Sequence, residues 1–506
     1  MKIIYITTPL YYVNAPPHIG HAYTNIIADS YNRALKLLGK KTFFLTGTDE
    51  HGQKVLNEAK KRNQDVKEFV DSVQENFKKL WKVLNIEYDD FIRTTQPRHT
   101  KIVKKVLEIL FKKGEIYEGF YEGFYCVPCE TFWNKKDLIS GERCPQCKRK
   151  VEFLKEKNYF LKISKYQKDL EKFLKENPDF IYPTQRFNEI IGFLNTHNLE
   201  DICITRPKKR LSWGIEVPFS PEYVTYVWFD ALLNYISAPG FLEDEDKFSK
   251  LWPADVHFIG KDILRQHAIL WPIILKTLDL DFPKKIVAHG WWLVGEEKMS
   301  KSKGNIVSPF VFCEKYSSDA LRFFMLREVP LGQDGNFNEE NFVHRYNSDL
   351  ANDLGNLIFR TLTMVEKYFN CELEPSEKAP FSGFSQFLDK KDLLKRYLEE
   401  INFYNYLEEV FKFINTANKF IEEEKPWQMA KENRKDLLRD FLYQLLEVLR
   451  LVGLLLSPVL PVTSKKIFEQ LNFESELNFE KEFVWGYMKR KILIKKFPPL
   501  FPRIKW

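Results

Sequence analysis

The sequence has no hydrophobic run suited to crossing a membrane. Its opening apolar stretch, Met1 to Ile6, stops at Thr7-Thr8-Pro9. That is too short for the core of a signal peptide, and no small-residue cleavage site follows. The longest apolar stretch, Phe441 to Leu460, is broken by Gln444, Glu447, Arg450 and Pro458. Its apolar positions 438, 441, 445, 448, 452 and 455 recur at helical spacing, which predicts a buried core helix instead of a span. The expected compartment is the cytosol, with no membrane partner. Cysteine is scarce as well: there are seven in 506 residues, and the odd number excludes a fully paired disulfide framework. Four of the seven fall within 22 residues, whereas Cys203, Cys313 and Cys371 are scattered, a distribution that argues for a metal site. Internal repeats and low-complexity tracts are absent. A strong excess of one charge is missing too, since the net value is +7; it permits a nucleic-acid partner without requiring one.

What is present is the composition of a globular chain with a full core: 44% hydrophobic, 29% charged and 15% aromatic. The length exceeds what one hydrophobic core sustains, so about two to four domains are expected. β-branched runs at 3–8 and 42–46 flank a helical pattern over roughly 20–38. Val256 to Gly260 reads as a strand followed by a helix to about 278, and Ile286 to Gly290 as the next strand. These pieces fit an α/β, doubly wound parallel sheet with its ligand crevice at the carboxyl ends of the strands. The stretch 116–215 carries the cysteine cluster and lacks the strand–helix alternation, so it reads as an insertion. After about 345 long amphipathic helices take over, one striped by Leu407, Val410, Phe411, Ile414 and Ile421. A Pro-containing tail closes the chain.

Four constellations carry chemistry. Pro17-His18-Ile19-Gly20-His21 follows the first strand and opens a helix, where free N–H groups and the dipole favour a phosphate. Gly20 leaves room there for a flat base to approach the backbone. Alone, such a tetrapeptide is more often two ordinary histidines near a turn. Lys298-Met299-Ser300-Lys301-Ser302-Lys303-Gly304 places three lysines in a short Ser/Gly loop, a cationic clamp for phosphates or, alone, an exposed basic loop. Together they are more informative, because each follows a strand of one α/β half. Cys126-x-x-Cys129 and Cys144-x-x-Cys147 are two knuckles with tetrahedral zinc spacing; four thiolates leave no position for water, so the site would be structural. Asn356 and Arg360 are four apart on one helix face, and Pro426-Trp427 opens another helix. On their own these last residues read as a surface pair and a core tryptophan.

The histidine and lysine motifs resemble the two ATP-binding signatures of class I aminoacyl-tRNA synthetases. Thr8 to Asn14, Thr46 to Gly52, Tyr226 to Ala231, and Ile259 to Asp262 with His267 and Trp271 are similar to segments of the methionyl-tRNA synthetase family. The resemblance covers about 1–470. It implies a Rossmann-like catalytic domain split into 1–115 and 216–290. Between the halves lies a zinc-bearing connective insertion, 116–215; beyond them come a lysine-loop and stem-contact region, 291–345, an α-helical anticodon-binding bundle, 346–470, and a tail, 471–506. By the same resemblance His18, Gly20, His21, Gly260, Asp262, Lys298 and Lys301 contact ATP, with His18, His21, Lys298 and Lys301 catalytic. Asp49 pairs with the methionine ammonium, while Leu10, Tyr12, Trp228, Ala231, Tyr235 and His267 shape the thioether pocket. Gln266 departs from members that carry an aromatic there. Asn356, Arg360 and Trp427 read the anticodon, and Cys126, Cys129, Cys144 and Cys147 hold one structural Zn²⁺.

The implied reaction joins L-methionine to ATP with Mg²⁺, then charges tRNA(Met), initiator tRNA included. The small β-barrel tRNA-binding module that some members append is not visible, so the resemblance leaves either a monomer or a separate protein recruited for that role. Synthetases for isoleucine, valine and leucine need an editing domain larger than the insertion of about 100 residues. A cysteine-specific enzyme would place zinc in its substrate pocket. A non-catalytic tRNA-binding paralogue would not need both intact ATP motifs.

Overall fold

A computed structural model describes residues 2–127, 131–133, 135–145, 147–294, 297–298 and 307–505, with only the backbone of 131, 132, 297 and 298. The chain divides into two compact units. One comprises Met1–Pro17, Phe43–Lys79 and Tyr88–His289, the other His18–Thr42, Leu80–Glu87 and Gly290–Trp506.

The first unit is built on a seven-stranded sheet. Its strands are β1 (Ile4–Thr7), β2 (Tyr11–Tyr12), β3 (Thr42–Asp49), β4 (Asp90–Arg93), β5 (Ile181–Tyr182), β6 (Val256–Gly260) and β7 (Ile286–His289). They run in the order β2–β3–β1–β6–β7–β5, with β4 also on β3. The pairings of β1 with β6, β6 with β7, β7 with β5, and β3 with β2 and β4 are all parallel. A parallel sheet is covered on both faces, which is why β6 and β7 read as near-continuous apolar runs. Tyr5, Leu45, Ile92, Ile259 and Ile286 form its core with Ile102, Val106 and Leu110 of the helix Pro97–Lys112. β3 runs three residues past the apolar stretch 42–46. Gly47 permits this, because a Cβ there would lie 1.9 Å from the Ile92 carbonyl oxygen of the neighbouring strand.

The stretch 116–215 does not wholly lack strand–helix alternation, and that expectation is corrected. Residues Thr131–Trp133, Ile116–Cys126, Glu152–Leu161 and Ile202–Cys203 do form a separate four-stranded sheet in that spatial order, with antiparallel pairings. Between its last two strands, however, the helices Gln167–Glu176 and Thr184–Thr196 flank β5, which returns to the parallel sheet. A two-residue strand, Ile181–Tyr182, followed directly by Pro183 carries too little pattern to be read from sequence.

The second unit begins with α1 (Ile19–Leu37) and continues through α2 (Asn356–Phe369), α3 (Phe403–Glu424), α4 (Pro426–Lys431) and α5 (Lys435–Leu456). The α3 stripe Leu407, Val410, Phe411, Ile414 and Ile421 is buried, as are 438, 441, 445, 448, 452 and 455 on α5. Among the described residues no helix is long and apolar enough to cross a membrane. A fully buried Arg322 fastens α1 to the rest of this unit. Its guanidinium meets Asp29 Oδ2 at 2.7 Å, Ser30 Oγ at 3.1 Å and the carbonyls of Leu84, Pro458 and Val459. With that many acceptors its desolvation is met by charge-assisted bonds. The tail folds back: Ile492–Leu493 pairs with Glu372–Leu373, Ile504 exchanges hydrogen bonds with Asn347, and Phe501 is buried.

Candidate functional site

The carboxyl ends of β1, β3 and β6 gather the first group. The chain leaves β1 for β3 on one side while β6 lies on the other, which makes this the switch point where ligands bind in such sheets. Asp49 ends β3, is buried, and stands in register with Tyr12 of β2. Leu10 lies close to Gly47; a Cβ on that glycine would come within 2.9 Å of Leu10 Cδ2. Trp228 and Ala231 sit on the helix Val227–Leu232 and Tyr235 on the short helix Asn234–Ser237.

His267 begins the second residue of a π-type turn, Gln266–Leu270, a local widening common at functional sites. Its Nδ1 lies 2.9 Å from the Ile263 carbonyl and must donate to it, so Nε2 accepts from the Tyr235 hydroxyl at 2.8 Å. The Trp228 ring stands edge-on to it, 6.4 Å between centroids. Behind Tyr235, His257 stacks at 4.2 Å. His257 accepts from Trp271 Nε1 at 3.2 Å, so its Nδ1 donates to Thr7 Oγ1 at 2.6 Å. Burial pushes His267 down to about 4 and His257 well below the usual imidazole range. These side chains are therefore neutral, aromatic and polarizable, which suits an uncharged sulfur-containing chain, and the Asp49 carboxyl group ends β3. Gly260 ends β6, where a Cβ would lie 2.6 Å from Asp262 Oδ1 and displace that carboxylate.

Sequence reasoning missed the buried chain beside these groups. Asp230 takes His51 Nδ1 and His99 Nε2 at 2.7 Å each, and His99 Nδ1 meets Ser237 Oγ at 2.8 Å. Nearby, Glu50 is held by Arg93 through two hydrogen bonds, at 2.7 and 3.0 Å. His51 and Asp230 fall inside segments that resemble the family, but His99 belongs to no motif, and only the fold brings it to them.

In the second unit His18 caps α1. Gly20 N–H donates to His18 Nδ1 at 3.0 Å, and His18 N–H to His21 Nδ1 at 3.2 Å, a reciprocal capping box. The rings stack 3.9 Å apart. Because both Nδ1 atoms accept, each neutral ring carries its proton on Nε2, a donor at a helix N-terminus. A Cβ on Gly20 would lie 2.9 Å from His18 Cε1 and would push that ring aside. Lys298 belongs to the strand Glu297–Lys298, opposite Leu293; Lys301 lies outside the described residues.

Cys126, Cys144 and Cys147 bring three thiols within 4.8 Å of one another, a group able to hold a metal ion. The 3.4 Å between the sulfurs of Cys126 and Cys147 is too long for a disulfide. Cys129 lies outside the described residues. A tight turn shapes the second knuckle, with Lys148 N–H donating to the Cys144 carbonyl and Cys144 N–H to that of Arg149, both at 2.8 Å. In the helical region Asn356 is exposed on α2, Arg360 pairs with Glu422 at 2.6 Å, and Trp427 is 46% exposed.

Comparison with known proteins gives the same direction. The family model described as tRNA synthetases class I (M) matches residues 4–152 and 148–362, and that of the anticodon-binding domain of tRNA ligase matches 391–498. A methionine–tRNA ligase of Caldanaerobacter subterraneus subsp. tengcongensis is 47% identical over 510 residues, covering 99% of this chain and 79% of the relative. One from Thermotoga maritima is 44% identical over 506 residues, covering 99% and 80%. The structure of Mycobacterium tuberculosis methionyl-tRNA synthetase in complex with methionyl-adenylate matches with a TM-score of 0.93 at 36% identity, covering 99% of this chain and 100% of that one. Similarity of this depth extends over the sheet, the cysteine knuckles and the helical region alike, and the chain belongs to the methionyl-tRNA synthetase family of class I aminoacyl-tRNA synthetases.

Proposed function

We propose that this chain activates L-methionine with ATP to methionyl-adenylate and pyrophosphate, and then transfers the methionyl group to the 3′ end of tRNA(Met), initiator tRNA included. The observation that carries the reading is the neutral Tyr235–His267 pair beside Trp228, at the same sheet end as the buried Asp49. Asp49 pairs with the substrate ammonium, while Leu10, Tyr12, Trp228, Ala231, Tyr235 and His267 enclose the thioether. The methionine carboxylate is already ionised near pH 7 and attacks the α-phosphorus without a general base. His18 and His21 donate from Nε2 to phosphate oxygens, Gly20 keeps His18 folded into its cap, and Gly260 and Asp262 meet the ribose. Lys298 and Lys301 stabilise the charge that collects on the leaving pyrophosphate. Positioning and electrostatics supply the acceleration, with Mg²⁺ arriving on the nucleotide.

In the second step the terminal ribose hydroxyl of the tRNA attacks the mixed anhydride carbonyl and AMP departs. Asn356, Arg360 and Trp427 read the anticodon, the tryptophan by stacking on an unpaired base. Cys126, Cys129, Cys144 and Cys147 hold a structural zinc ion; the three described thiols are close enough, and a set of soft sulfur donors suits that metal. The reaction belongs in the cytosol, and a separate β-barrel protein is a further tRNA-binding partner. Pyrophosphate exchange measured with each of the twenty amino acids tests the reading. Exchange dependent on methionine alone is expected, and exchange driven by another amino acid, or by none, would overturn it.

A further inference from the structure

The buried chain His51–Asp230–His99–Ser237 has no part in the chemistry above. Asp230 is fully buried, and both of its carboxylate oxygens are taken by histidines. A carboxylate in that position would be strongly disfavoured if unpaired, yet here each oxygen accepts from an imidazole at 2.7 Å. Burial pushes its acidity toward the neutral form, but the charges and hydrogen bonds of His51 and His99 outweigh this and hold it below the ordinary carboxyl range.

The chain joins particular elements. His51 lies two residues beyond Asp49, the end of β3. Asp230 lies between Trp228 and Ala231 on one helix, and Ser237 ends the helix that carries Tyr235. His99 projects from a fourth element, the helix Pro97–Lys112, and bonds to both. The other side of the β3 end is fixed too: the Trp213 ring lies 5.5 Å from that of His51, and its Nε1 donates to the Glu50 carbonyl at 2.6 Å. The elements that carry Asp49, Trp228, Ala231 and Tyr235 are thus tied to one buried anion.

We propose that Asp230 is a positioning residue that sets the spacing between the ammonium-binding Asp49 and the Trp228–Tyr235 wall, and thereby the length of side chain the pocket accepts. This rests on the proposed methionine site. Asparagine has the shape of aspartate but offers one acceptor and one donor where two acceptors are needed, so Asp230→Asn must lose or reverse one histidine bond. Misplacement of binding groups by a fraction of an ångström weakens the substrate that needs both ends of the pocket, not the nucleotide.

The test is steady-state pyrophosphate exchange on Asp230→Asn, Ser237→Ala and Asp49→Ala, with methionine and with the longer ethionine, in preparations calibrated by active-site titration. Asp230→Asn should raise the KM for methionine about tenfold or more, leave the KM for ATP within about twofold, and narrow the preference for methionine over ethionine at least threefold. Ser237→Ala, which removes the outer bond and a longer one, at 3.3 Å, to the Asn234 carbonyl, should move the same quantities less and in the same direction. A merely structural role would lower the titrated active fraction and leave both KM values alone, and that result would overturn the proposal. If Asp230→Asn does not fold, Ser237→Ala decides: an unchanged methionine KM and an unchanged ethionine ratio would overturn it. Asp49→Ala separates the two readings. If it binds methionine normally, the proposed site itself fails; if it loses methionine while Asp230→Asn and Ser237→Ala behave as wild type, only the positioning role fails.

Discussion

Trp427→Ala separates anticodon reading from core packing. The ring is 46% exposed, and on α4 it is Pro426 and Met429 that are buried. An aromatic side chain buries about 150–250 Å² when fully enclosed. Roughly half of that at about 25 cal/mol per Å² limits the stability loss to about 2–3 kcal/mol. For a unit of this size the melting temperature should fall by several degrees and leave the protein folded under assay. If the exposed face stacks on an anticodon base, its loss removes about 1–3 kcal/mol of tRNA recognition. Charging efficiency, kcat/KM for tRNA, should then fall about fivefold to 150-fold. Methionine-dependent exchange without tRNA should stay within about twofold of wild type, because the role proposed for Trp427 is confined to tRNA. The assay is melting, exchange and charging on one preparation. Parallel loss of exchange and charging with a collapsed melting temperature would refute the stacking role.

Lys301→Ala should slow adenylate formation about a hundredfold or more, the scale of losing one charge-stabilising donor, while methionine affinity by calorimetry barely moves; an unchanged rate removes Lys301 from the mechanism. Asp49→Ala should weaken methionine binding by several kcal/mol with ATP binding preserved, and calorimetry with each ligand checks it. Metal analysis should find about one zinc per chain, and Cys144→Ser should release it while the parallel sheet stays folded, read by circular dichroism. His267 takes its proton only near about 4, whereas an unfolded chain does so near 6.5. The folded state should lose up to a few kcal/mol as pH falls through that window and nothing above pH 7; calorimetry at pH 7 and 5 should show a shallower pH dependence in His267→Gln.

The strands at 256–260 and 286–290 and the buried stripes of α3 and α5 were legible because their patterns are local: runs of apolar residues, or spacing at the helical period. β5 was not, since Ile181-Tyr182 is a strand only by virtue of pairing with β7, a contact about a hundred residues away in sequence. The same limit hid His99, which no motif contains and which reaches Asp230 across 131 positions. His18 and His21 stood out as a spacing, but the capping box that fixes their tautomers depends on backbone geometry. The close approach of the His18 ring to Gly20, 2.9 Å from where a Cβ would stand, likewise depends on that geometry. For the cysteines, spacing alone suggested a metal site, because ligand separation along the chain reflects the turns that bring thiols together.

The central claim, activation followed by transfer on one chain, is tested most directly by running the two half-reactions apart. The protein is incubated with labelled methionine, ATP and pyrophosphatase, the enzyme-bound adenylate is isolated by rapid gel filtration, and tRNA(Met) is added without further ATP. The account predicts about one methionyl-adenylate per active site and its transfer to the tRNA 3′ end, with AMP released in equal amount. Failure to form the adenylate, or an adenylate that hydrolyses without charging the tRNA, would contradict it.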